Sequence, residues 1–314
     1  MRTTSSAQTK DPVSGWIEDN FNQGKVVNQR AMGSSGWSSA YCYETDQGAK
    51  YFVKLARGRD AGMFKGEALG LQAMYATQTL RIPNAYHCGE LSSVPGGRGL
   101  GGSGSFIIME YLNFGGTFKQ EELGRQLAEM HMAKPHFEEA REGRFGFPVD
   151  NTIGGTPQPN PWTASGGTAA WVAFFKEHRL QHMLQLAGDA RLTALGNTLC
   201  ANLEQLFDGV EVTPSVLHGD LWSGNVSAVD GQPAIYDPAV YFGHAEAEFG
   251  MSWCAGFSDS FYRAYHSVLP KAKGFEARKT LYKLYHYLNH YVLFGSGYYS
   301  QCLSSLTELT RTMR

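Results

Sequence analysis

Two short polar stretches, each following an apolar run, constrain this chain more than any other feature. The first is Leu217-His218-Gly219-Asp220-Leu221-Trp222-Ser223-Gly224-Asn225; the second, ten residues on, is Ile235-Tyr236-Asp237-Pro238-Ala239. Pro214 to Leu217 and Ala234 to Tyr236 read as buried strands. A carboxylate, an amide and a second carboxylate are thus delivered to the ends of two core strands. One polar residue there would fit an ordinary turn; three in register argue for chemistry.

The spacing H-x-D-x-x-x-x-N, with a further Asp downstream, is that of a phosphoryl-transfer loop. Such a reaction needs a carboxylate to accept the proton of the attacking hydroxyl. It also needs an amide and a second carboxylate to hold Mg²⁺ on the nucleotide phosphates. Asp220 fits the first role, and Asn225 and Asp237 fit the other two.

Composition removes several other classes. With 314 residues, 42% hydrophobic and 18% charged, the chain can bury the core of one large domain or two lobes. The formal net charge is −2 and no block of five Lys/Arg occurs, so neither nucleic acid nor a membrane is expected as partner. No apolar run approaches the roughly 18–20 residues of a membrane span. Cys42, Cys88, Cys200, Cys254 and Cys302 are odd in number and lack C-x-x-C spacing. Neither a disulfide framework nor a zinc site is indicated, and a soluble protein of a reducing compartment is expected. Residues 1–10 carry Arg, Lys, Ser and Thr without an acid, as organelle transit peptides do. They are too few for a whole one and read as a flexible tail.

Periodicity gives the order of elements. Asp11 to Phe21 reads as a short amphipathic helix with Asp11 as N-cap and Pro12 in its first turn. Tyr41 to Thr45 and Lys50 to Leu55 form a hairpin, Ala61 to Gln78 a helix, Ala85 to Cys88 a strand and Phe106 to Leu112 another. Met109 to Asn113 would be the hinge into a mostly helical remainder: Gln120 to Met132, Thr168 to Ala187, Arg191 to Phe207, Phe249 to Tyr265 and Phe275 to Phe294. Gly143 to Gly167, with four prolines, reads as a long loop.

Other candidates fall into place around this frame. Lys54 ends a strand, where a lysine can pair with nucleotide phosphates, and Glu67 on the next helix is its expected partner. Gly33, Ser34, Ser35 and Gly36 precede the first hairpin strand, where backbone N–H groups and hydroxyls can donate to phosphate. Gly97 to Gly102 matches G-x-G-x-x-G but leads into a strand instead of a helix, so it is rejected as a nucleotide site. His244 and Glu246 are expected to tie the loop to the helical part of the chain.

The residues also carry a family resemblance. Leu217 to Val226 (LHGDLWSGNV), Ile235 to Glu248 (IYDPAVYFGHAEAE), Phe145 to Pro159 (FGFPVDNTIGGTPQP), Phe64 to Ala68, Phe175 to Leu180 and Leu284 to Tyr291 resemble the fructosamine-3-kinase/ribulosamine-3-kinase family. The likeness runs from about Asp11 to the C-terminus. It implies an α+β, protein-kinase-like two-lobed fold: a tail over 1–10, a small β-rich nucleotide-binding lobe over 11–112 and a larger helical catalytic lobe over 113–314. It further implies ATP at a hinge built from Met109, Glu110, Tyr111 and Leu112, Mg²⁺ on Asn225 and Asp237, and Asp220 as base. Lys54 and Glu67 would position the phosphates, Trp222 would stack on the substrate, and His218 would stand on the substrate side. The implied acceptors are glycated proteins or free ketoamines, phosphorylated at the sugar O3 so that the adduct falls away. Glu248 to Phe257 (EFGMSWCAGF) most resembles plant and algal members, some of them plastid proteins, so plastid or cytoplasm is expected, as monomer or homodimer.

Three departures qualify the resemblance. Trp37 stands where many members carry a glycine-loop cysteine linked to redox-controlled dimers, with Cys42 on the strand beyond. The usual D-W after the proline-rich loop is Ala170-Trp171, and the glycine-rich insertion is long. The rival readings are an aminoglycoside- or choline-type kinase, which seldom shows L-W-S-G, and a pseudokinase, which would be expected to have lost one of Lys54, Asp220, Asn225 or Asp237.

Overall fold

The computed structural model describes residues 11–57, 62–91 and 104–313. The 1–10 tail and the Gly97 to Gly102 run lie outside the described residues. Two compact units emerge: one holds the chain up to Ala68 together with Pro83–Leu112, the other Leu69–Ile82 together with the chain from Asn113 onward.

In the first unit, α1 (Pro12–Asn20) starts as its sequence dictates. Asp11 accepts the N–H groups of Val13 and Ser14 at 3.2 and 3.1 Å, and Pro12, which has no N–H to satisfy, follows it. Five strands, β1 (Val26–Ser34), β2 (Ser39–Thr45), β3 (Lys50–Arg57), β4 (Ala85–Glu90) and β5 (Gly104–Glu110), form an antiparallel sheet in the order β1-β2-β3-β5-β4. α2 (Gly62–Tyr75) joins β3 to β4. Tyr51 and Val53 of β3 enter a core with Val13, Ile17, Phe106 and Ile108. Because side chains alternate along a strand, Lys54 leaves on the opposite face, where Glu67 of α2 meets it. β1 has no apolar alternation and is almost wholly exposed; pairing with β2 alone makes it a strand.

The second unit is mainly helical: α3 (Gln120–Met132), α4 (Glu138–Arg141), α5 (Thr168–Phe175), α6 (His182–Ala187), α7 (Ala190–Ala201), α8 (Asp259–Val268), α9 (Phe275–Phe294) and α10 (Tyr299–Thr312). A π-helical segment, Lys176–Gln181, links α5 to α6 and carries Arg179, which is fully buried over the Tyr241 ring and donates to Pro159 O and Asn160 Oδ1 at 2.6 Å each. The expected loop at 143–167 contains a small hairpin, β6 (Asn151–Ile153) with β7 (Thr156–Gln158). β8 (Ser215–Leu217) pairs with β11 (Tyr241–Gly243), and β9 (Val226–Val229) with β10 (Gln232–Ile235). The expected Phe249 to Tyr265 helix is corrected: Ala245–Met251 is 3₁₀, and α8 starts only after Ser258, whose Oγ caps Phe261 N. Gly256, at φ +69°, stands between them in a conformation a continuous helix does not use.

Candidate active site

In the first unit, Lys54 Nζ and Glu67 Oε1 are 2.7 Å apart, and both side chains are mostly buried. Ser35 closes the glycine/serine turn between β1 and β2: its Oγ accepts from the N–H groups of Trp37 and Ser38 at 3.2 and 3.1 Å. Gly33 and Ser34 end β1, and Gly33, Ser34, Ser35 and Gly36 are all exposed. Of the expected hinge, Met109 and Glu110 finish β5, while Tyr111 and Leu112 follow it. Met109 and Leu112 are buried, and Glu110 Oε2 accepts from Asn84 N at 3.3 Å. Cys42 is buried in β2.

In the second unit, Asp220, Asn225 and Asp237 are brought together. β8 ends at Leu217, and the chain turns sharply at Gly219, where φ is +79° and an added Cβ would stand 2.2 Å from Ala239 O. Asn225 Nδ2 donates to the backbone oxygens of Asp220 and Asp237 at 2.8 and 3.2 Å, which locks the two polar stretches to each other. Asp237 itself sits at φ +60°, uncommon for a residue with a side chain.

His218 requires a correction. Its ring is fully buried, Nδ1 accepts from Asp220 N at 3.2 Å, and Nε2 lies 2.9 Å from Tyr236 O. That pattern assigns the proton to Nε2, spends both nitrogens inside the loop and leaves none for a substrate. Trp222 is different: 40% of it is exposed, and its indole lies across Gly224, where any Cβ would fall within 2.3–2.7 Å of ring atoms.

His244 and Glu246 tie the segment after Asp237 to α9, as expected, and Glu248 adds a further tie to the loop backbone itself. The Glu248 carboxylate accepts the N–H groups of His218 and Gly219 at 2.7 and 3.0 Å, and His131 Nε2 lies 3.1 Å from it. His131 is held in turn by Tyr265 OH at 2.7 Å. Although burial opposes the charge of Glu248, these hydrogen bonds and the two histidines bring its carboxyl below the usual range. Glu246 instead makes a bidentate pair with buried Arg278 at 2.7 and 2.9 Å, and His244 bonds Tyr282 OH at 2.8 Å. Sequence reading passed over Glu248 because nothing in a run of alternating alanines and glutamates says which acid turns inward.

Asp220 is half-buried, and burial pushes its carboxyl up to about 7, with the charges of Asp237 and Glu248 adding to the shift and Asn225 opposing it. A base that titrates near neutrality is suited to taking a hydroxyl proton. The donors available to a cation are oxygens: the Asp237 carboxylate and, with its nitrogen committed to two carbonyls, the amide oxygen of Asn225. Among the described residues no group of three His, Cys, Asp or Glu could hold a metal. Two oxygen ligands completed by phosphates and water is the coordination Mg²⁺ favours, so these residues fit it.

Residues 10–312 match the sequence model of the fructosamine kinase family. The chloroplastic protein-ribulosamine 3-kinase of Arabidopsis thaliana is 48% identical over 318 residues, which cover 98% of this chain and 90% of that protein. A Thermobifida fusca crystal structure described as a fructosamine-3-kinase superposes with a TM-score of 0.78 at 26% identity, covering 96% of this chain and 99% of that one. A ternary complex of the aminoglycoside phosphotransferase APH(4)-Ia with ADP and hygromycin B gives 0.60 at 16% identity, covering 96% and 99%, a likeness of fold alone. The antiparallel sheet followed by a helical remainder is the protein-kinase-like fold of these neighbours.

Proposed function

The chain belongs to the fructosamine kinase family, and we propose that it transfers the γ-phosphoryl group of ATP to the sugar O3 of ketosamines, ribulosamines on glycated proteins foremost. The observation that carries this reading is the joining of Asp220, Asn225 and Asp237 by one amide, on a loop whose backbone is clamped by Glu248.

The residues divide the work. Asp220, at the accessible edge of the loop, takes the proton of the O3 hydroxyl as that oxygen attacks phosphorus. Lys54, held by Glu67, neutralises phosphate charge on the nucleotide. The exposed Gly33 to Gly36 turn supplies backbone N–H groups to the phosphates, and Met109 to Leu112 receive the adenine. Asn225 and Asp237 would hold Mg²⁺, which when bound screens the charge of the transferring group. Trp222, fixed on Gly224, offers the outer face of its indole to the sugar. Catalysis is then positioning and charge neutralisation, with no covalent enzyme intermediate.

Phosphate at O3 becomes a leaving group once the ketoamine enolises; its elimination leaves an unsaturated imine that water hydrolyses to a dicarbonyl sugar and the free amine, so the reaction is protein repair. The chloroplastic relative at 48% identity supports placement in a plastid. Among the described residues no helix is long and apolar enough to cross a membrane.

The test is incubation with Mg²⁺-ATP and, in turn, ribulosyl-lysine, fructosyl-lysine, choline and kanamycin, with ³¹P NMR to locate the phosphate. Phosphate on O3 of a ketoamine is the expected product; phosphorylation of choline or kanamycin alone would refute the reading.

A further inference from the structure

Beside the catalytic loop lies a group of rings that the phosphoryl-transfer machinery does not use. The Trp253 ring is centred 5.3 Å from Tyr287, 5.3 Å from His290 and 6.2 Å from Tyr298. His290 is 4.9 Å from Tyr298 and 5.5 Å from Phe294. This cluster is not core: Trp253 is 38% exposed and Phe294 61%. Large rings left together at a surface mark a place where something binds.

Its position relative to the base is set by the main chain. Ser223, in the catalytic loop, donates its N–H to Cys254 O at 3.2 Å, and Cys254 directly follows Trp253. Electrostatics traces the same path. Burial and then the Asp220 charge push the Cys254 thiol up to about 11, and burial raises Tyr287, with Cys254 and Cys302 adding to the shift. Burial lowers His290, which favours its neutral form among the rings.

The acceptor in the proposed reaction has one feature that a free ketose lacks. Its C1 bears a secondary amine, protonated near neutrality, two carbons from the C3 whose hydroxyl reacts. A cation this close to the reacting oxygen must lie beside the catalytic loop. Ring faces attract such a cation within about 6 Å, Trp most strongly.

We propose that Trp253, Tyr287, His290 and Tyr298 receive the protonated amine of the ketosamine and the side chain that bears it, so that the enzyme selects ketosamines over free sugars. The inference rests on the ketosamine kinase reading. Rings recognise an ammonium without bringing a further acid beside the base, and they accept the methylenes of a lysine side chain on the same surface.

The experiment compares ribulosyl-lysine with its N-acetylated analogue, in which the nitrogen is a neutral amide, using the unsubstituted enzyme, Trp253→Leu, Trp253→Phe and Tyr298→Leu. The unsubstituted enzyme should favour the amine in kcat/KM. Trp253→Leu and Tyr298→Leu should raise KM for ribulosyl-lysine by about ten-fold, with KM for ATP and the constants for the neutral analogue changed far less; Trp253→Phe should restore most of the preference. Tyr298→Leu keeps the test decisive if Trp253→Leu does not fold. Equal use of both acceptors by the unsubstituted enzyme, or equal loss on both in the variants, would overturn the inference while leaving the kinase reading intact. A change in oligomeric state with acceptor KM unmoved would also overturn it, assigning the rings to a second copy of the chain. No ketoamine turnover by the unsubstituted enzyme would overturn both.

Discussion

Glu248 holds the catalytic loop through Gly219: its Oε1 accepts the Gly219 N–H at 3.0 Å while Oε2 takes that of His218 at 2.7 Å. A carboxylate bonded to consecutive backbone amides fixes the main chain, so the loop that carries Asp220 is placed by a residue 28 positions downstream of that aspartate. His131 braces the other side of Oε2 from α3.

Replacing Glu248 with Gln keeps the shape, loses the charge and turns an N–H₂ toward donors. The proposed role of Asp220 depends on sub-ångström placement, so Glu248→Gln should lower kcat by about 100-fold. KM for ATP should change little. Steady-state kinetics with the variant's folding confirmed by circular dichroism checks this; an unchanged kcat would remove Glu248 from the account.

Gly219→Ala meets two obstacles at once, a left-handed backbone and Ala239 O at 2.2 Å from the new Cβ. The loss of stability should be about 2 kcal/mol or more, visible as a lower denaturant midpoint. Activity should fall further than stability accounts for, because the strain is released next to Asp220.

Lys54→Met and Glu67→Gln test the proposed phosphate-positioning role of this ion pair separately. Lys54→Met should cost about 10²–10³-fold in kcat, the range for losing one preorganised electrostatic contact in a transition state. Glu67→Gln keeps the cation and loosens its position, so its penalty should be smaller. If both variants turn over at the native rate, the pair has no part in nucleotide chemistry.

His244 and His286 are buried and each is lowered to about 3, chiefly by burial, with Arg278 and His131 adding to the first and His290 to the second, where Glu248 opposes. The unfolded chain binds these protons near pH 6.5, the folded chain only near 3. The stability they contribute is therefore complete above about 6.5 and is lost as pH falls toward 3. At pH 5 the loss should be roughly 2 kcal/mol for each histidine. Urea unfolding at pH 7.5, 6 and 5 should show the decline, and a flat profile over that range would contradict neutral burial of these rings.

Much of the site was legible in the sequence because its residues are close along the chain. The 217–225 and 235–239 stretches carry their own spacing, Lys54 follows a short apolar strand run, Tyr51 to Val53, and Asp11 with Pro12 announces a helix start that the structure keeps. Four features were hidden for physical reasons. β1 is defined by its partner strand and shows no pattern of its own. Glu248 and Glu246 are both buried acids in one 3₁₀ segment, and only tertiary contacts send one to the loop and the other to Arg278. His218 heads the motif yet faces inward, since spacing says which residues are near the chemistry but not which way a ring points. α10 was missed although its apolar residues Leu306 and Leu309 are spaced for a helix; serines and threonines dilute the stripe.

The most direct measurement is kcat/KM for ribulosyl-lysine with Mg²⁺-ATP, in the native protein and in Asp220→Asn, by ADP release. The account predicts clear turnover by the native chain and a loss of about 10²–10⁴-fold in the variant, the contribution of a general base, with nucleotide affinity retained. Comparable rates in the two proteins would contradict it, since Asp220 would then not be the base and the geometry around it would need another explanation.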